Sequence, residues 1–313
     1  MRALIAHGHG PPSQLQLGEA PQPAPGAGQV LLRMRAAALN PFDLKLLTGA
    51  MGDSVPAEFP YVPGMDGAGT VVEVGAGVEG LAVGDELFGF FGRTPGTIAE
   101  FAVLDAPEYC APRPAALDPV HAAALPESGI TAKTLLRAVE PAAGQSLLVV
   151  GATGGIGMFI VQLAAAAGCV VLATAGPGEA NYVLGLGAAH ALDYTSADTA
   201  SLVLALHPGG VDAVIDLVSS GEGVRQTARA LREGGRFASP LGGPSDLGRG
   251  IEASYASLTL QPGDLEDLAE RAATGALRVE VSRVYPFAEA VQAFVDFAGG
   301  HTRGKLVVDV SAS

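Results

Sequence analysis

Residues 147–157 read LLVVGATGGIG, an apolar run leading into four glycines, Gly151, Gly154, Gly155 and Gly157, within seven positions. An apolar helix pattern over 156–167 and a second strand pattern, VVLAT at 170–174, follow directly. Strand, glycine loop, helix and strand within about thirty residues make a βαβ unit. A helix that starts at such a loop presents unpaired N–H groups and the positive end of its dipole, and both attract a phosphate. On this reading Gly151 makes the tight turn, Gly154 brings a pyrophosphate against the backbone, and Gly157 lets the helix pack close on its strand. Thr153, Gly155 and Ile156 complete the expected dinucleotide contact. The spacing G-x-x-G-x-x-G lies one residue from the usual G-x-G-x-x-G, so the strand before it and the helix after it carry the assignment.

Outward from this loop the alternation continues. Helix patterns at 179–186, 198–207 and 222–232 separate strand patterns AHALDY (189–194), DAVIDLV (212–218) and RFAS (236–239), with ASLTL (256–260) last. Six parallel strands with covering helices predict a doubly wound α/β domain over 122–264. Upstream, residues 1–121 are strand-like and rich in Pro and Gly turns, which predicts a β-rich, barrel-like domain. Its one helix pattern, PFDLKLLT at 41–48, has Asn40 at the N-cap and Pro41 at the first helical position. The tail, 265–313, holds an acidic helix (266–274), a strand (279–287), a helix (288–298) and a strand (304–310), and is assigned to the first domain.

Composition narrows the partners. The 313 residues are 49% hydrophobic and 16% charged, a globular composition with too much apolar content for disorder. A net charge of -14, from 18 Lys and Arg against 32 Asp and Glu, argues against nucleic acid and anionic membrane, whose affinity comes from basic residues. No charged residue falls between Glu140 and Glu179, yet the glycines cut that run into segments too short to span a bilayer. The two cysteines, Cys110 and Cys169, have no metal-type spacing, and residues 1–10 lack the apolar core of a secretory signal. A reduced, cytoplasmic protein is expected.

The motifs NPFDLKLLTG (40–49), YVPGMDGAGTVVEVGAGV (61–78), ESGITA (127–132), VVGATGGIG (149–157), LGAAHALDY (186–194) and RGKLVVDV (303–310) stand in one order along the chain. In these motifs the sequence resembles the zinc-independent quinone oxidoreductases of the medium-chain dehydrogenase/reductase superfamily, over nearly its whole length. The resemblance implies a GroES-like barrel beside a Rossmann domain, and a homodimer. It also implies nicotinamide-dinucleotide contacts at Asn40, for the ribose, and Thr131, for the nicotinamide end. Further contacts are expected at Leu217 and Val218, and at Ser239, Pro240 and Leu241.

Zinc-dependent relatives hold a catalytic metal with a Cys near the first helix, a His in a Gly-His-Glu segment and a later Cys or His. Here the matching positions are Asn40 and Met65-Asp66, and neither an amide nor a thioether is a usual zinc ligand. The six histidines are scattered, with His7 and His9 flanking a glycine. Without a Lewis acid, reduction of a simple ketone is disfavoured, whereas hydride added to an enone or quinone leaves a charge that is already delocalised. A metal-free reductase of quinones or α,β-unsaturated carbonyls is expected. The alternatives are an enoyl-thioester reductase of the same fold and a non-catalytic dinucleotide-binding redox sensor. A short-chain reductase is excluded, because none of the six tyrosines is followed four residues later by Lys.

Two further expectations complete the site. Some relatives place a substrate-facing Tyr at the position of Lys45, which makes Lys45 a candidate to orient an acceptor oxygen. NADPH is expected over NADH, since no acid stands at the end of the second strand, ATAG at 173–176. Its 2′-phosphate would be met by Thr174, Asn181 and Tyr194, with Arg303 arriving from the tail. Zinc is expected to be absent.

Overall fold

The computed structural model describes residues 1–52, 58–92, 96–256 and 258–311. The chain divides into two compact units, Met1–Glu127 with Pro262–Ser313, and Ser128–Gln261. The first break lies later than residue 121 because the short helix Pro119–Ala123 packs on strands of the first unit and the Asp66 carboxyl accepts the Glu127 N–H.

The first unit starts with a two-stranded ribbon, β1 (Arg2–Ile5) and β2 (Gln16–Glu19). Its main sheet uses β3 (Gln29–Ala38), β4 (Asp66–Val74), β5 (Glu86–Phe90), β6 (Phe101–Asp105) and β7 (Cys110–Pro112). Helix α1 spans Pro41–Leu47, and α2 spans Pro119–Ala123 on an Asp118 cap that accepts the Val120 and His121 N–H groups. Helix α3 (Pro126–Val139) leads into the second unit.

The second unit is a parallel six-stranded sheet of β8 (Ser146–Val150), β9 (Val170–Ala175), β10 (His190–Asp193), β11 (Val211–Asp216), β12 (Leu231–Ser239) and β13 (Glu252–Tyr255). Their order is β10-β9-β8-β11-β12-β13, the doubly wound order with its switch between β8 and β11. All five residues of β8 are buried, as a central strand covered on both faces requires. The helices are α4 (Gly157–Ala166), α5 (Ala180–Gly185), α6 (Thr199–Leu206) and α7 (Glu222–Ala228). Phe237, Val214, Leu148 and Val203 centre one core cluster of this unit.

The tail returns to the first unit through α8 (Asp264–Ala273), β14 (Val281–Pro286), α9 (Ala290–Ala298) and β15 (Lys305–Asp309). There β15 pairs antiparallel with β3, and Phe294, Leu306 and Val308 share one core with Leu32, Met34 and Leu47.

Two of the predicted elements end or lie elsewhere than expected. Helix α7 stops at Ala228 rather than 232, because Leu231 already pairs with Val211, and an irregularity around Gly234 (φ 65°) precedes the Arg236 pairing with Ala213. The edge strand is Glu252–Tyr255, not 256–260; Ser257 lies outside the described residues. Thr259 is instead tied to α3: its N–H donates to Thr134 Oγ1 at 3.2 Å, and its carbonyl accepts from Thr134 Oγ1 and Arg137. Among the described residues no helix is long and apolar enough to cross a membrane.

Candidate active site

In the second unit the sequence-derived contact positions gather along the carboxyl edge of the sheet. Gly151 follows β8, Thr174 lies near the end of β9, Leu217 and Val218 follow β11, and Pro240 and Leu241 follow β12. Gly151 takes φ 83°, and a Cβ there would lie 2.8 Å from Val218 Cγ2. At Gly157 a Cβ would meet Ala152 Cα at 2.6 Å, with the Gly151 carbonyl nearer still, so this glycine allows the helix start to rest on the turn. Gly154 differs from both: its Cβ would meet nothing nearer than the Gly151 carbonyl oxygen at 3.6 Å. The backbone in front of Gly154 is therefore open.

The sheet also holds the loop from behind. The Gly151 N–H donates to Thr174 Oγ1 at 2.9 Å, and Thr174 is buried. Its hydroxyl, expected from the sequence near a 2′-phosphate, is engaged by the glycine turn. Asp216, which sequence reasoning missed, accepts the Val218 and Ser219 N–H groups through Oδ1, at 2.9 and 2.8 Å. Its Oδ2 is buried and has no partner among the described residues. Ser239 is buried likewise and accepts the Leu241 N–H at 3.1 Å. Val218 and Leu241 are exposed, apolar surface beside the loop that suits flat rings. Thr153 and Thr131 are buried, and Asn181 is exposed on α5.

Beyond β9, Glu179 folds back so that its Oε2 accepts the Gly176 N–H at 3.0 Å. A Cβ on Gly176 would sit 3.0 Å from that oxygen and 3.3 Å from the Tyr194 hydroxyl. An acid thus stands at the end of β9 in space although none does in the local sequence. Arg303, in the first unit, pairs with Glu280 at 3.0 Å.

The first unit carries a buried polar cluster. Asn40 occupies the N-cap position of α1, but its side chain does no capping. Asp43 reaches back to accept the Asn40 N–H at 2.9 Å and the Gly64 N–H at 3.1 Å, while its own N–H donates to the Asn40 carbonyl. The Asn40 amide turns inward: Nδ2 donates to Asp66 Oδ2 at 3.0 Å, and Oδ1 accepts from Lys305 Nζ. Lys305 Nζ lies 3.9 Å from Asp66 Oδ2, and Glu127 N–H donates to Asp66 Oδ1 at 3.0 Å. Asn40 and Asp66 are 0% exposed and Lys305 3%, so Asn40 shows no amide to a ribose in this arrangement. Burial pushes the Asp66 carboxyl up to about 8 against the pull of Lys305, and the Asp43 carboxyl to about 7 against its two N–H donors and Lys305. Lys45 is exposed on α1. Among the described residues no three His, Cys, Asp or Glu gather as a metal site.

Comparison with known proteins joins these halves. Residues 26–115 match the alcohol dehydrogenase GroES-like domain family, and 186–308 match the zinc-binding dehydrogenase family. The chain is 32% identical to the chloroplast envelope quinone oxidoreductase homolog of Arabidopsis thaliana, over 93% of this chain and 92% of that one. It belongs to the quinone oxidoreductase family of the medium-chain dehydrogenase/reductase superfamily. It is also 31% identical to the NADPH-dependent alkenal/one oxidoreductase of the same plant, over 90% of this chain and 72% of that one. Among solved structures it resembles the quinone oxidoreductase from Coxiella burnetii, with TM-score 0.88 and 30% identity over 99% of each chain. The resemblance read from the motifs, and the GroES-like and parallel-sheet architecture it implied, therefore hold.

Proposed function

We propose that this chain transfers hydride, without a metal, from NADPH to a quinone or to the β-carbon of an α,β-unsaturated carbonyl. The carrying observation is the cluster at the metal-ligand positions. Asn40 and Asp66 are bonded to one another there, and the Lys305 ammonium lies against both, where it would repel a divalent cation. NADPH as donor follows the name of the alkenal/one oxidoreductase relative.

The bound dinucleotide would supply the hydride. This chain's part is to hold it: N–H groups of the loop at Gly154 and Gly155 take the diphosphate, Thr174 braces the turn, and Val218 and Leu241 cover the rings. The charge formed on the acceptor is spread over an enolate or quinol, so N–H donors and water suffice to stabilise it. Exposed Lys45 is available to orient the acceptor oxygen. Asn40 reaches a ribose only if its amide gives up Asp66 or Lys305. The cytoplasm is the proposed location, and a homodimer through the β13 edge, whose described pairing is with β12 alone, is the proposed assembly.

The test is steady-state oxidation of NADPH with a panel of quinones, enones and an enoyl thioester, on protein assayed for zinc. Turnover with conjugated acceptors, undiminished by chelation, is expected. Loss on chelation that zinc alone restores overturns the mechanism; no turnover with any acceptor leaves the redox-sensor alternative. Light scattering should return a dimer mass.

A further inference from the structure

We infer that Glu179 is the cofactor-discriminating residue of this chain: its carboxylate, at the end of β9, opposes a 2′-phosphate, so that NADH binds on comparable terms with NADPH. The inference rests on the dinucleotide site proposed above and concerns only its ribose end.

Three observations converge on it. The Glu179 carboxylate is held against Gly176, the first residue beyond β9, by the Gly176 N–H, and the Tyr194 hydroxyl flanks the same glycine. In sheets of this order the residue at the end of the second strand meets the adenosine ribose, and an acid there selects the 2′-hydroxyl. Here the acid arrives from four positions further on, returned by the turn that starts α5. Secondly, no Lys or Arg occurs between Arg137 and Arg225, so α4, β9, α5 and β10 contain neither. Thirdly, the two hydroxyls expected to receive the phosphate divide: Thr174 is committed to the Gly151 turn, leaving only Tyr194 exposed. A phosphate dianion placed beside a carboxylate loses about tenfold in affinity at moderate ionic strength, an effect that salt weakens.

Direct binding tests this apart from catalysis. Dissociation constants of NADPH, NADH, 2′,5′-ADP and 5′-AMP are measured by calorimetry on the parent and on Glu179→Gln, which keeps an acceptor for the Gly176 N–H. In the parent, NADPH and NADH should bind within about tenfold of each other, with the NADPH-to-NADH affinity ratio rising as salt is added. In Glu179→Gln, NADPH and 2′,5′-ADP should tighten about tenfold while NADH and 5′-AMP move less than about threefold. Unchanged NADPH affinity in a folded Glu179→Gln, or equal tightening of all four ligands, overturns the role of Glu179. A parent that already binds NADPH a hundredfold tighter than NADH does the same. Should neither dinucleotide bind the parent, the dinucleotide site itself is refuted and this inference with it.

Discussion

At the carboxyl edge of the parallel sheet, the glycine turn after β8 exposes backbone and small residues that are neighbours in the chain. In the first unit, by contrast, the polar groups come from residues 40, 43, 66, 127 and 305 and meet only after folding. The edge is open and made mostly of backbone, while the cluster is closed and made of side chains. The cluster's carboxyls have been moved close to neutral pH by burial.

The sharpest way to break this contrast is Lys305→Met. It leaves the Asn40 carbonyl oxygen buried without its donor and removes the charge that holds both carboxyls down, and should cost about 3 kcal/mol in urea unfolding. No loss would mean that the cluster is not a cooperative unit. Next comes pH. Asp66 keeps a proton in the folded chain, up to about 8, that the unfolded chain has released near its ordinary value of 3.8. Its stabilising contribution is therefore complete below about 4 and declines as pH rises towards 8, by at most about 1.4 kcal/mol per pH unit. Asp66→Asn, which does not titrate, should show a shallower fall in melting temperature between pH 5 and 8; parallel curves would remove Asp66 from the effect.

Smaller effects separate fold from ligand at the glycine loop. Gly157→Val forces a side chain onto the Gly151–Ala152 backbone and should destabilise by about 2 kcal/mol. Gly154→Val has room in the folded chain and should leave the melting temperature nearly unchanged while dinucleotide binding, followed by fluorescence, is lost. If both variants behave alike, the loop has no ligand-specific glycine. Smallest, Thr174→Val removes one hydrogen bond behind the turn and should cost about 1 kcal/mol.

What was legible in the sequence follows the same division. The strand and loop at 147–157, the alternation after it and the return of the tail are local patterns, and the structure contains each of them. Ribbon strand β2, exposed at all four positions, has no burial alternation to reveal it. ASLTL has strand composition, yet Thr134 and Arg137 take its hydrogen bonds, and no local pattern shows that competition. At Asn40 the cap is read from its neighbour Pro41, while the side chain's direction is decided by Asp66 and Lys305, far away in sequence. Glu179 is the first acid after the second strand in the sequence but stands four residues beyond it, and only the turn at 176–179 reveals its reach.

Asn40 and Lys305 stand 265 positions apart, and their bond has a consequence for synthesis. The second unit is one uninterrupted segment, complete once Gln261 has emerged from the ribosome. The first unit, begun earlier, must wait for β15 to pair with residues 36–38 of β3 and for Lys305 to enter the cluster. Throughout that interval a stretch of β3 lacks its strand partner and Asp66 lacks its cation, a state open to wrong pairing. The unit begun first is thus the unit finished last, and a nascent chain stalled before residue 305 has a completed parallel sheet in its second unit and a first unit still without β15.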